Sequence, residues 1–133
     1  MPSILLADDD ANHAYLAARA VRDAGVAEPL VTVATGDEAI AALAAAAPPP
    51  RLVLLDQDLP GRSGLEVLQW IRADQRLSAL PVLVFSGSTY PSDARAAYLL
   101  GANGFVVKPG DYPEMLRLAR AINDYWLVFN RSA

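Results

Sequence analysis

The sequence predicts an α/β domain: a doubly wound, five-stranded parallel sheet in strand order 2-1-3-4-5, with helices on both faces. Three observations predict it. Short apolar runs alternate with helix-patterned segments along the whole chain, and strand–helix alternation with short links makes βαβ units. The runs are continuous rather than alternating, as expected of strands buried on both faces. Four of them end in a particular polar residue (an acid, an acid, a serine and a lysine), and a parallel sheet gathers such ends at the one edge where ligands bind.

The first strand, Ile4–Ala7, runs into Asp8, Asp9 and Asp10. A helix near Asn12–Ala24 follows and stops at Gly25. The second strand, Leu30–Ala34, ends in Ala34-Thr35-Gly36 with no charge, which suits an edge strand away from the switch point between strands one and three. Thr35 and Glu38 have capping-box spacing for a helix near Asp37–Ala46, and Pro48-Pro49-Pro50 ends it. The third strand, Leu52–Leu55, runs into Asp56. Ser63 with Glu66 opens a helix near Gly64–Arg72. The fourth strand, Val82–Phe85, runs into Ser86, and a helix near Ser92–Leu100 stops at Gly101. The fifth strand, Phe105–Val107, runs into Lys108. Asp111 with Glu114 opens the last helix, near Pro113–Phe129. Its residues Met115, Ala119, Ile122, Trp126 and Phe129 form one stripe expected to bury. Tyr125, Leu127 and Val128 cannot all share that stripe, and surplus apolar surface marks a partner site.

No repeat, linker or domain boundary interrupts this pattern, so residues 1–133 are expected to form a single domain with no output domain. Composition is 53% hydrophobic and 20% charged, enough for a sizeable core and against wholesale disorder. A net charge of −4 argues against gripping a nucleic-acid backbone. The absence of cysteine excludes disulfides and thiolate chemistry. No basic region precedes Ile4, and the acids at Asp8 stop the apolar run too early for a signal peptide or membrane span. A cytoplasmic protein without membrane contacts is the expectation.

The strand ends carry the chemistry. Asp8, Asp9 and Asp56 bring negative charges together, and uncompensated carboxylates raise one another's pKa. A hard divalent cation removes that conflict, and carboxylates with waters suit Mg²⁺. Asp10 is expected instead to cap the first helix. A carboxylate beside Mg²⁺ can attack phosphorus to give an acyl phosphate. Such transfer needs in-line positioning and charge neutralisation. The chain's only lysine, Lys108, supplies that charge on the side opposite the metal. Ser86 can donate its hydroxyl to a phosphoryl oxygen, and Gly87 leaves the group room to enter. His13 reads as a solvated residue of the first helix with no catalytic role.

In this pattern the chain resembles a response-regulator receiver domain of two-component signalling, over essentially its whole length. The resemblance rests on Asp8-Asp9, on Asp56-Gln57-Asp58-Leu59-Pro60-Gly61, on Ser86 and on Lys108-Pro109. It implies the flavodoxin-like receiver fold. It implies Asp56 as phosphoacceptor, Asp8 and Asp9 as metal-binding acids with Asp9 the direct ligand, and the Asp58 backbone carbonyl as a further Mg²⁺ ligand. It implies Ser86 as switch hydroxyl, Phe105 as switch aromatic, and a cis peptide bond between Lys108 and Pro109. The implied partner is a sensor histidine kinase. The segment Gly101–Pro109 and the tail Tyr125–Asn130 are also similar to small regulators paired with phytochrome-type kinases. Such a protein is a signalling domain that assists its own phosphorylation and dephosphorylation rather than an enzyme. Its output surface would be the fourth helix, fifth strand and fifth helix, where a homodimer is expected. The competing reading is a haloacid-dehalogenase-like phosphatase, suggested by Asp56-Gln57-Asp58. Against it, the metal-binding acids here precede the nucleophile, and no acidic pair follows Lys108. A receiver-like adaptor that works without phosphate should lack pieces of the site, and here none is missing.

Overall fold

The structure, a computed structural model, describes residues 2–131; Met1, Ser132 and Ala133, part of the expected single domain, lie outside them. Strands β1 (Ile4–Ala7), β2 (Leu30–Val33), β3 (Leu52–Asp56), β4 (Val82–Ser86) and β5 (Gly104–Val107) form one sheet in the order β2-β1-β3-β4-β5. Every pairing is parallel. The helices are α1 (Ala11–Asp23), α2 (Gly36–Ala45), α3 (Gly64–Ala73), α4 (Pro91–Leu99) and α5 (Tyr112–Ile122). Fold class, strand order and element positions match the expectation, with boundaries differing by a residue or two outside the last helix.

Side chains of a strand alternate between faces, and the core divides accordingly. Leu5, Ala7, Val53, Leu55, Val82 and Val84 pack with Leu43, Val67, Leu68 and Ile71 under α2 and α3. Ile4, Leu6, Leu52, Leu54, Leu83 and Phe85 pack on the opposite face with Ala14 and Leu127. Each fully buried aliphatic side chain contributes roughly 1.5–3 kcal/mol. Ala20, Met115 and Ala119 seal α1 against α5.

The caps form as their spacing predicts. Asp10 Oδ1 accepts from the Asn12 and His13 N–H groups at 3.0 and 3.1 Å. Ser63 and Glu66 make a complete capping box. Thr35 and Asp111 accept from the Glu38 and Glu114 N–H groups. Glu38 reaches back to the Ala34 N–H rather than to that of Thr35. Gly25 and Gly101, at φ 79° and 103°, take the left-handed conformation that ends a helix. Arg72 then ties the end of α3 to the strand entries, donating to Leu80 O at 2.7 Å, Gly101 O at 2.9 Å and Asn103 Oδ1 at 2.9 Å.

The last helix departs from expectation. After Ile122 it continues as a π-helix, Asn123–Phe129, with the Asn130 N–H bonded back to Tyr125 O. A π-turn holds an extra residue, so the apolar stripe slips by about one position. Leu127 is therefore buried in the core while Phe129 is 75% exposed. Trp126 remains partly buried against the same cluster. Tyr98, Leu99, Val107, Tyr125, Val128 and Phe129 leave apolar surface exposed on α4, β5 and the end of α5.

Candidate metal and phosphoryl site

The register of the sheet builds the site. β1 and β3 are neighbours, with Ala7 beside Leu55, so Asp8 and Asp56 emerge side by side. On the other flank Asp56 pairs with Phe85, and Ser86 with Val107. Ligand oxygens of Asp8, Asp9 and Asp56 all lie within 4.8 Å of one another. Asp8 and Asp56 are buried and Asp9 is exposed, so the cluster opens to solvent through Asp9. Three carboxylates at that spacing suit a hard divalent cation. The Asp58 N–H donates to Asp56 Oδ1 at 3.0 Å, and exposed Asp58 sits beside the cluster.

Lys108 reaches across from the end of β5. Its Nζ donates to Asp56 Oδ2 at 2.8 Å and lies 3.8 Å from Asp8 Oδ2. Its own backbone N–H is fixed to Ser86 O at 2.8 Å. Burial pushes the Asp56 carboxyl upward, and the Lys108 bond does not fully offset it, so its pKa is raised. Burial works against the Lys108 ammonium, but the bond and charge of Asp56 outweigh it and raise its pKa. For Asp8, burial is again the largest influence, here overcome by the His13 and Asp10 hydrogen bonds and the Lys108 charge, so its pKa is lowered.

Ser86 is buried, and its Oγ accepts from the Ser88 N–H at 2.9 Å. A Cβ on Gly87 would meet nothing within 4 Å, so the approach to Ser86 is open there. Phe105 is partly buried against the core, and its backbone N–H donates to the Tyr98 hydroxyl at 3.2 Å. The sheet thus brings Asp8, Asp9, Asp56, Ser86, Gly87 and Lys108 to one edge.

Two expectations need correction. The Lys108–Pro109 bond is trans; among the described residues the cis bond is Ala47–Pro48. Trans is the intrinsically preferred isomer before proline, and from it Lys108 already reaches Asp56. His13 is not a solvated helix residue. Its side chain is 14% exposed and its Nδ1 is hydrogen-bonded to Asp8 Oδ2. The Asp10 cap fixes His13 in the first turn of α1, and the packing of that turn at the end of β1, not the spacing alone, brings the ring to Asp8.

Residues 4–120 match the family model described as response regulator receiver domain. The chain belongs to that family.

This receiver is 37% identical over 133 residues to the protein named Probable methanogenesis regulatory protein FilR2 of Methanothrix harundinacea, covering 97% of this chain and 86% of that protein. It is 29% identical to Response regulator Rcp1 of Synechocystis, over 93% of this chain and 88% of Rcp1. Among solved structures it superposes on the phosphorylated cyanobacterial phytochrome response regulator RcpA with a TM-score of 0.91 and 32% identity, covering 98% and 97% of the two chains. The Mn²⁺-bound form of Rcp1 aligns at a TM-score of 0.88 and 27% identity, covering 100% and 99%. The receiver is a response regulator with an acidic pocket suited to a divalent metal, and its family implies a histidine kinase partner. The phosphatase reading finds no support in these matches. Among the described residues no helix is long and apolar enough to cross a membrane.

Proposed function

We propose that this chain is a single-domain response regulator that takes a phosphoryl group from a sensor histidine kinase onto Asp56, with Mg²⁺ held by the acidic trio. One observation carries the reading: the Asp56 carboxylate stands within 4.8 Å of Asp8 and Asp9 ligand atoms while the ammonium of Lys108 sits 2.8 Å from its Oδ2. Asp8, Asp9, Asp56 and the Asp58 carbonyl would hold the metal, with Asp9 a direct ligand. Bound Mg²⁺ supplies charge neutralisation at the phosphoryl oxygens.

An Asp56 carboxylate oxygen forms the new bond to phosphorus as the bond from phosphorus to the kinase histidine nitrogen breaks. Lys108 transfers its ammonium contact from Asp56 to a phosphoryl oxygen. Ser86, whose Oγ accepts from the Ser88 N–H, turns its own hydroxyl hydrogen to donate to the phosphoryl group. Gly87 keeps the entrance open. Phe105 follows Ser86 inward, and the α4-β5-α5 surface changes with it. The ligand shifts the two states only by its differential contacts with them, and those are the Ser86 and Lys108 bonds.

Similarity to Rcp1 and RcpA supports a phytochrome-type kinase as donor. Exposed Tyr98, Leu99, Tyr125 and Phe129 support a homodimer through α4-β5-α5. The protein acts in the cytoplasm through protein contacts, without nucleic-acid or membrane binding, and performs no turnover beyond its own phosphorylation and dephosphorylation. Intact mass after incubation with acetyl phosphate and Mg²⁺ tests the reading. A single phosphoryl adduct is expected on the parent and none on Asp56→Asn. Equal labelling of both would overturn it, and multiple turnover of small phosphate esters would restore the phosphatase.

A further inference from the structure

His13 stands at this edge, and the phosphoryl chemistry leaves it unused. It sits in the first turn of α1, and its Nδ1 meets Asp8 Oδ2. A carboxylate only accepts, so Nδ1 carries the hydrogen and donates it. Asp8 Oδ1 accepts from the Asp10 N–H at 2.9 Å. Both oxygens of Asp8 are therefore held, one by the backbone and one by the imidazole, and the carboxylate plane is fixed.

A third group competes for the same oxygen. Lys108 Nζ lies 3.8 Å from Asp8 Oδ2 and 2.8 Å from Asp56 Oδ2. With the imidazole donating to Asp8, the ammonium makes its close contact with Asp56. Without it, the ammonium is the side-chain donor left beside Asp8 Oδ2 and is drawn from Asp56 towards it. The far side of the ring fits this role. Nε2 is buried without a hydrogen-bond partner, and His13 lines a cavity of about 40 Å³ beneath β1, a volume sufficient for one or two waters. With Nδ1 carrying the hydrogen, Nε2 is the unprotonated nitrogen, so no buried N–H of the ring is left without an acceptor.

We infer that His13 is a positioning residue of the metal centre: its Nδ1–H sets the Asp8 carboxylate for the cation and keeps Lys108 on Asp56. The inference rests on the metal reading of the acidic trio given above.

Mg²⁺ affinity by titration calorimetry at one fixed pH tests it, on the parent, His13→Asn and His13→Leu. Asn keeps an N–H near the Nδ1 position; Leu keeps the bulk without a donor. The Leu variant is expected to bind about 10–100-fold more weakly, the usual loss when a group orienting a metal ligand is removed, and Asn to recover most of it. Equal affinity in all three, or equal loss in Asn and Leu, overturns the inference. Should the Leu variant not fold, the sole histidine of the parent gives an unambiguous second readout by ¹⁵N NMR. Nδ1 must be protonated and must shift on saturation with Mg²⁺; a bare Nδ1, or one indifferent to Mg²⁺, overturns it. A parent that binds no Mg²⁺ ends both this inference and the metal reading. A parent that binds Mg²⁺ regardless of the residue at position 13 ends this inference alone.

Discussion

Replacing Gly64 by alanine tests whether Asp56, the proposed phosphoacceptor, is held by the packing of α3 against its own backbone. Gly64 is the first residue of α3, after the Ser63 cap, and its N–H donates to Gln57 O at 3.0 Å. A Cβ there would lie 2.1 Å from Asp56 O, 2.8 Å from Gln57 Cα and 2.9 Å from Asp56 C. Ordinary contact begins at 3.4 Å, so helix and strand must part by about 1.3 Å, and neither side of the contact is a flexible side chain that can swing away. Overpacking of this kind costs about 1–3 kcal/mol, and with backbone on both sides the upper end applies. The better helix propensity of alanine returns at most about 1 kcal/mol. A net loss of roughly 2–3 kcal/mol lowers the thermal midpoint of a domain this size by about 7–11 °C. Circular dichroism in EDTA reads the midpoint, and the rate of labelling by acetyl phosphate with Mg²⁺ reads the displacement of Asp56. Both should fall. The control is Gly87→Ala, where a Cβ meets nothing within 4 Å; its stability should stay within about 0.5 kcal/mol of the parent. A Gly64→Ala protein as stable as the parent and labelled at the same rate would refute the reasoning.

Asp56→Asn should raise the thermal midpoint of the metal-free protein at neutral pH. Burial, the largest influence on Asp56, raises its pKa in the folded state, so folding disfavours the ionised form. That penalty is fully present above the raised folded value and vanishes below the 3.8 of an ordinary aspartate. The difference between variant and parent should therefore shrink to nothing as the pH falls through that window, and a gain that persists below it would contradict the assignment. At the other end of the molecule, Leu127→Ala should cost about 2–5 kcal/mol and Phe129→Ala less than about 0.5 kcal/mol, read by urea denaturation. The reverse order would mean that the last helix keeps α-helical register to its end.

Most of the sheet was legible because its strands are buried on both faces, which leaves a run such as Leu52-Val53-Leu54-Leu55 no room for a polar residue until the chain leaves the core at Asp56. The site was legible for the same reason. Asp8, Asp56, Ser86 and Lys108 are each the first residue past an apolar run, and the parallel order collects those ends. Three features were not legible. The slip that exchanges Phe129 for Leu127 arises from a π-turn, which changes the period on which a helical stripe is read. The trans bond at Lys108–Pro109 is a choice between isomers that the dipeptide itself leaves close in energy. The engagement of His13 depends on where the first turn of α1 sits above β1, a tertiary placement that its position in an amphipathic helix does not encode.

The charge arrangement explains why this edge is poised for a ligand. Three carboxylates lie within 4.8 Å of one another against one close ammonium. The lysine cannot satisfy both buried acids: it sits 2.8 Å from Asp56 and 3.8 Å from Asp8. At an effective dielectric of about 20, two like unit charges at the 4.8 Å limit of that cluster repel by about 3.5 kcal/mol, comparable with what one well-placed counter-ion returns. A divalent cation cancels that repulsion. On the proposed reading, an incoming phosphoryl group would then restore negative charge, this time with the Ser86 hydroxyl and Lys108 ammonium able to turn towards it. Ser86 Oγ accepts from the Ser88 N–H, which leaves its own hydroxyl hydrogen uncommitted, whereas Lys108 donates to Asp56, so only the ammonium would have to leave its present partner to meet the new charge. On the proposed reading, the transfer of that ammonium and the turn of the Ser86 hydroxyl, at the ends of β5 and β4, would be what carries a local change of charge to the exposed apolar surface that flanks them.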